Sequence, residues 1–326
     1  MASTNHPEQN NRSGDSSDLA GRIASGKMVV TSELNPPKGI DLAPLLSSAN
    51  DLRGYVDAFN VTDSHSARMC VSPLAVAHAL AQHGHEPIVQ LTTRDRNRIA
   101  LQGDLLGAAV LGVSNVVLMG GDDPRNGDHP DAKAVFDIST EDLLRAANAL
   151  TRGTDLEGNK LQGSPSLYIG AVVNPGATDL DRELERMADK IAAGAQFFQT
   201  QAIYDVRAFS AFADRLARSN DFSGVAVLAG IIPVKSVRMA EYMNENVPGI
   251  EVPQWVMQRV ADAQDIEAES AAISAELIDQ IRPLVQGIHL MAIGWERVIP
   301  TILERSKFAH RAPGGPALGS ARPTGG

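Results

Sequence analysis

The chain has 326 residues, 43% of them hydrophobic and 21% charged, with a formal net charge of −10. This is ample apolar material for one large core, and the acidic balance argues against nucleic acid and against an anionic membrane surface as partners, since both demand a basic face. A single cysteine, Cys70, excludes a disulfide within the chain and argues against a thiolate zinc site.

In chain order, residues 1–20 read as a polar, disordered tail. They hold no apolar core of the kind a signal peptide needs. No run of about 18 apolar residues follows anywhere, so no bilayer span is expected and the expected compartment is the cytoplasm. Residues 21–308 read as one catalytic domain, and 309–326, rich in Gly, Pro, Ala, Ser and Arg, as a second disordered tail.

Within the body, short apolar runs alternate with stretches of helical spacing. The run 28–34 is followed by a helix over 42–52, and 55–62 by a helix over 72–83 that enters through Ser72-Pro73. Then come 87–92 with 96–111, and 115–119 with 139–150, where Ser139 stands three residues before Asp142 in a near capping box. The runs 166–173, 197–204 and 224–232 precede helices over 179–195, 206–219 and 236–244. A helical region over 253–285 leads to the last run, 287–293, and a final helix over 295–307. Eight runs rich in Val, Ile, Leu and Phe without strict alternation are the pattern of strands buried on both faces. Eightfold strand–helix alternation predicts a single α/β (β/α)₈ barrel. An open doubly wound sheet is the competitor, and eight repeats with no extra edge strand favour closure. No Gly-x-Gly-x-x-Gly opens a helix after the first run, so a Rossmann dinucleotide site is not indicated.

In such a barrel, chemistry sits on the loops after the strand C-termini. The first run ends at Glu33, with Pro36-Pro37 fixing an extended exit. Thr62-Asp63 follow the second run, and Gln90 and Thr92 end the third. Arg94-Asp95-Arg96-Asn97-Arg98 come next, with Asp95 a candidate cap of the next helix. Gly120-Gly121-Asp122-Asp123-Pro124 open a long loop after the fourth run, where paired glycines let backbone approach a ligand. Asn174-Pro175 end the fifth run, and Gln201 interrupts the sixth, flanked by Gln199 and Thr200. A buried polar residue there needs a partner, either a ligand or a network in the barrel core. Glu183, Arg186 and Lys190 share one face of the following helix. The reading is a mouth lined by Glu33, Asp63, Asp122 and Gln201. Metal fits poorly, because the one histidine cluster, His83-Gly84-His85-Glu86, precedes a strand and reads as a solvated turn. Nucleophilic catalysis lacks a Gly-x-Ser-x-Gly elbow. A Schiff-base lysine, with Lys235 or Lys38 as candidates, is the minor alternative. Acid–base assistance to cofactor chemistry fits best.

Several of these segments, in this order, resemble the methylenetetrahydrofolate reductase family. They are Glu33-Leu34-Asn35-Pro36-Pro37, Leu91-Thr92-Thr93-Arg94-Asp95-Arg96-Asn97, Gly120-Gly121-Asp122-Asp123-Pro124, Asn174-Pro175, Thr200-Gln201 with Tyr204-Asp205, Ala229-Gly230-Ile231-Ile232-Pro233 and Gly287-Ile288-His289-Leu290-Met291. The flavour is that of the reductase half of bacterial fused homocysteine methyltransferase–reductases. The resemblance implies an oxidoreductase that interconverts 5,10-methylenetetrahydrofolate and 5-methyltetrahydrofolate, with hydride passing through FAD from or to NADH or NADPH. It makes Glu33 and Asp122 catalytic, Glu33 as a general acid whose pKa is raised, and it puts Gln201 and Asp122 on the folate. Thr62, Gln90, Gly121, Asp122, Asn174, Glu183, Arg186 and Lys190 fall at cofactor-binding positions, and no metal is implied. Departures stand at Gln90, Gly120, Gly170 and Asn174, where the family often has His, Arg, an aromatic residue and His. They imply weaker FAD binding unless Arg94, Arg186 or Lys190 compensates at the phosphates. The alternatives are a flavin-poor relative that transfers hydride directly from NADH to folate, and a folate-binding subunit that takes electrons from a partner protein. A homo-oligomer is compatible with all three.

Overall fold

The computed structural model describes residues 18–307, and most of both expected tails lies outside them. Eight strands close into a parallel barrel in sequential order: β1 (Val29–Leu34), β2 (Ala58–Val61), β3 (Pro87–Thr92), β4 (Asn115–Met119), β5 (Tyr168–Val173), β6 (Phe197–Ala202), β7 (Ala226–Ile231) and β8 (Gly287–Leu290). β8 pairs with β1, with His289 beside Thr31, which leaves no open edge. The expectation of a closed barrel is met, and all strand C-termini therefore face one end.

The helices follow the expected alternation. They are α1 (Asp18–Ala24), α2 (Ala43–Asp51), α3 (Pro73–Gln82), α4 (Arg98–Val110), α5 (Thr140–Thr151), α6 (Leu180–Ala193), α7 (Val206–Arg218), α8 (Val237–Asn246), α9 (Gln254–Asp262), α10 (Ile266–Ile281) and α11 (Ile299–Arg305). Ser139 caps α5 as its spacing suggests, accepting from Asp142 N at 3.0 Å and donating to the Asp142 carboxylate at 2.9 Å. The cap of α4 is Asn97, whose carbonyl takes the N–H groups of Ile99 and Ala100, so Asp95 is not the cap. The helical region 253–285 is broken, because Asp265 caps a new helix by accepting from Ala268 N.

α1 is absent from the sequence reading, which put residues 18–20 in the tail. Its Leu19 is buried and packs with Val29, Ala58, Ile88, Val117, Phe197, Ala226 and Leu228 inside the barrel. Arg22 anchors the helix through a 2.9 Å ion pair to Asp57. This apolar plug fills the N-terminal end of the barrel. The ring of Phe197 stacks on Tyr168 at 4.8 Å and lies where a side chain on Gly170 would project. The missing aromatic residue at Gly170 is thus replaced by packing from the next strand and leaves no hole. Toward the other end the interior turns polar: Thr31, Asn60, Gln90, Gln199 and His289 are all buried.

The 83–86 turn lies before β3, away from the mouth. It is only partly solvated. His85 sits edge-on to Phe59 at 5.4 Å, and burial, with the nearby charges of Arg53 and His83, pushes its pKa down to about 4.

Candidate functional site

Glu33 stands near the C-terminal end of β1, over the polar layer of the barrel interior. Gln90 Nε2 of β3 donates to Glu33 Oε1 at 3.1 Å, and His289 Nε2 of β8 lies 3.6 Å from the same oxygen. Below them, Thr31 Oγ1 is 2.9 Å from His289 Nδ1, and Asn60 and Gln199 form a reciprocal amide pair at 2.7 and 2.9 Å. Burial drives the Glu33 pKa up. The nearby His289 Nε2, with the charge that ring carries when protonated, the charge of His65 and the Gln90 amide outweigh it, and the net direction is downward. The direction is thus opposite to the raised pKa that the resemblance implied for Glu33. Both close partners fall on Oε1, so Oε2 is the oxygen left for a ligand. Sequence reasoning assigned no role to His289, Asn60 or Thr31. The available signal was a lone histidine inside an apolar strand.

The second expected carboxylate, Asp63, does not line the mouth. Its Oδ2 accepts from Thr92 N and Oγ1 at 2.8 and 2.9 Å and pairs with Arg96, locking the exit of β2 to that of β3. Thr62 donates to Asn35 at 2.9 Å. Arg94 is 2% exposed, held by Asp95 and by the carbonyls of Asp63 and Ser64. Asp122, one residue past the glycine pair after β4, is exposed and within electrostatic reach of Arg94. Gly121 has φ +88°, and a Cβ there would meet Thr92 Cβ at 2.9 Å, so only glycine lets this loop lie against β3. The loops after β1, β2 and β4 are stapled by Asp128, which pairs with Lys38 at 2.5 Å and accepts from Met69 N at 3.0 Å. Ser64, Ser66 and Ala67 all have positive φ in the same segment, a concentration of backbone strain beside the mouth.

On the far side, Glu183 is buried and takes the N–H of Asn174 at 2.9 Å. Lys190 donates to the Val172 carbonyl at 2.8 Å, and burial pushes its pKa down. These two side chains clamp the end of β5 onto α6. Asn174 accepts from Gly176 N and is pressed against Gly249, which has no room for a Cβ. Arg186 is exposed, 3.8 Å from Glu183. In β6 the pairing to β7 shifts between Gln199 and Ala202, and Thr200 fills the irregularity by accepting from Gly230 N and donating to Gln201 O, both at 2.8 Å. Gln199 thereby points into the barrel network. Gln201 is only partly buried, its Oε1 accepting from Ala202 N at 3.2 Å. The core-network reading thus falls to Gln199, and Gln201 stands outside that network.

A flavin dinucleotide needs donors for a diphosphate. Of the cations expected to supply them, Arg94 and Lys190 are spent on protein acceptors, and only Arg186 is exposed. Thr62, Gln90 and Glu183 are likewise bonded within the protein. This donor set does not fit a tightly held FAD. Lys38 is paired with Asp128, and Lys235 donates to the Ile293 carbonyl 5.8 Å from the Trp295 ring centroid. Both amines are engaged by protein acceptors, which disfavours the Schiff-base alternative. Among the described residues no group of three or more His, Cys, Asp or Glu side chains could hold a metal ion, and no helix is long and apolar enough to cross a membrane.

The family model "Methylenetetrahydrofolate reductase" matches residues 18–307. The chain is 25% identical over 303 residues to methylenetetrahydrofolate reductase 2 of Schizosaccharomyces pombe, covering 89% of this chain and 47% of that protein. It is 25% identical over 250 residues to 5,10-methylenetetrahydrofolate reductase of Pectobacterium carotovorum, covering 75% and 76%. The chain thus spans about half the length of the fission-yeast relative and about three quarters of the bacterial one. Among solved structures, an uncharacterised Clostridium thermocellum protein that binds two copies of 5-methyl-5,6,7,8-tetrahydrofolic acid superposes with a TM-score of 0.60 at 17% identity, over 88% of this chain and 98% of that one. At that identity the likeness is one of fold.

Proposed function

The chain belongs to the methylenetetrahydrofolate reductase family, and from that premise we propose that it interconverts 5,10-methylenetetrahydrofolate and 5-methyltetrahydrofolate with NADH or NADPH as the redox partner, in the cytoplasm. The observation that carries the reading is the Glu33 carboxyl, held at the barrel mouth through Oε1 with Oε2 left for a ligand. In the reducing direction Glu33 Oε2 delivers a proton to N10 of the folate. The N10–methylene bond opens, and the remaining N5 iminium accepts hydride at the methylene carbon. In reverse, loss of hydride from the methyl group regenerates the iminium, N10 closes the ring, and its proton passes to the Glu33 carboxylate. The exposed Asp122 carboxylate stabilises the iminium charge, and the Gln201 amide orients the pterin. Proton transfer by a positioned carboxyl of this kind is worth about 10²–10⁴ in rate.

The family expectation for the hydride carrier is FAD. The engaged side chains of Arg94, Lys190, Thr62 and Glu183 favour a second reading, in which the nicotinamide passes hydride to the folate directly. The experiment is a turnover of methylenetetrahydrofolate with stereospecifically 4-deuterated NADH, on protein stripped of flavin and again with FAD added. Deuterium retained in the product methyl group without flavin supports direct transfer. Product only with FAD, its label lost to water, supports the flavin route. No methyl product under either condition would refute the proposed reaction.

A further inference from the structure

The buried side chains beneath Glu33 form a network with a defined direction. Asn60 Nδ2 donates to Gln199 Oε1 at 2.7 Å, and Gln199 Nε2 donates back to Asn60 Oδ1 at 2.9 Å. Neither amide can flip alone without setting nitrogen against nitrogen and oxygen against oxygen, and a flip of both would make His289 Nδ1 the donor and turn the Nε2 lone pair of a neutral ring on the Glu33 carboxylate. In this orientation the second proton of Gln199 Nε2 is directed at Thr31 Oγ1, 3.4 Å away, and His289 Nδ1, 3.3 Å away. A proton on Nδ1 would face that N–H, donor against donor. Nδ1 is therefore an acceptor, from Gln199 or from the Thr31 hydroxyl at 2.9 Å, and the ring carries its proton on Nε2. That nitrogen is the one 3.6 Å from Glu33 Oε1.

We propose that His289 is the positioning residue of Glu33: the Asn60–Gln199 pair holds its ring in the Nε2–H tautomer, and that N–H fixes the Glu33 carboxyl with Oε2 toward the folate. This rests on the reading of Glu33 as the proton-transfer group. The 3.6 Å separation is longer than a formed hydrogen bond, and the positioning role requires it to shorten when folate binds, as catalytic contacts do. His289 is 2% exposed and Gln199 3% exposed, so water cannot substitute for either. The groups that face Glu33 are His289 from β8, Gln90 from β3 and His65 from the exit of β2. The groups that face His289 are Thr31, Gln199 and Glu33 itself.

An N–H donated to a carboxylate favours its ionised form, which sets the signs of the test. His289→Leu lowers folate turnover about tenfold or more and moves the alkaline limb of its pH profile upward, because Glu33 then holds its proton to higher pH. His289→Gln, whose amide nitrogen reaches the position of Nε2, returns the limb toward wild type and recovers most of the rate. Gln199→Glu gives Nδ1 an acceptor, lets the ring become cationic and moves the limb downward. Nitrogen-15 NMR of the wild-type protein, with the His289 resonance assigned by its absence in His289→Gln, shows Nε2 protonated and Nδ1 bare. A limb unmoved in all three variants, with equal rates for Leu and Gln at 289, would overturn the proposal, as would a wild-type ring protonated on Nδ1. The NMR measurement needs no turnover, so it decides the tautomer even for a wild-type protein that fails to act on folate, a result that would instead refute the functional reading.

Discussion

Gln90 donates a 3.1 Å hydrogen bond to Oε1 of Glu33. The resemblance put Gln90 among the cofactor contacts, whereas the structure spends its amide on the carboxyl. The site chemistry is therefore coupled to β3 as well as to β8. Gln90→Leu is expected to raise the Glu33 pKa, since a donor to the ionised form is lost. The alkaline limb of folate turnover should move upward while FAD affinity changes less than threefold. A pH–rate series with a parallel flavin titration checks this. A large loss of flavin affinity with an unmoved limb would return Gln90 to the cofactor.

Gln201 and Gln199 are two residues apart in β6 and have different surroundings. Gln201→Ala should weaken folate affinity by about 1–3 kcal/mol, because a polar group of the pterin loses its partner, with a small change in melting temperature. Gln199→Ala should do the reverse. It strips the buried Asn60 amide of its pair, so about 1–3 kcal/mol of stability is lost. Calorimetric folate binding and thermal melts on both variants distinguish them. Equal effects on binding and stability in each would contradict the division.

Much of this was legible in the sequence. Eight strands buried on both faces appear as apolar runs, and polar residues that interrupt those runs at their ends, Glu33 and Gln90 above all, stand near the mouth. Strand-end position alone did not separate Asp63 from Asp122; the resemblance was needed to choose between them. Asp63 and Asp122 both follow strands, and only the packing of Arg96 and Thr92 against Asp63 removes it from the mouth. The His289 network is invisible for a similar reason. Its hydrogen-bonded pairs lie 90 to 258 residues apart in the chain and meet only through the register of a closed barrel. The turn at 83–86 looked solvated because nothing in its composition reveals the Phe59 ring beneath His85. The seven-residue α1 is too short for periodicity to reveal it.

Lys190 tests the cofactor question from another side. Its ammonium holds the Val172 carbonyl in a largely buried position. Lys190→Met should lower the melting temperature and leave any FAD affinity within a few-fold of wild type. A selective loss of FAD affinity with unchanged stability would show that the lysine turns to the phosphates when flavin binds.

Asp128 joins the exits of β1, β2 and β4. The Lys38 ammonium, the Met69 N–H and His129 hold its pKa well below the usual carboxylate range. A depressed folded-state pKa contributes stability that is present above the unfolded value, near 4, and is lost as pH falls through the folded value. Asp128→Asn should therefore speed hydrogen exchange in segment 64–70 at neutral pH, and the difference from wild type should shrink in strong acid. A difference that does not vary with pH would assign the effect to shape rather than charge.

The most direct test of the central claim is single-turnover conversion of 5,10-methylenetetrahydrofolate to 5-methyltetrahydrofolate by wild-type protein and Glu33→Gln, with folate affinity measured on both. The account predicts methyl product from the wild type. It predicts a loss of about a hundredfold or more in the variant, with folate affinity changed less than about tenfold. Turnover by Glu33→Gln within a few-fold of wild type would contradict it.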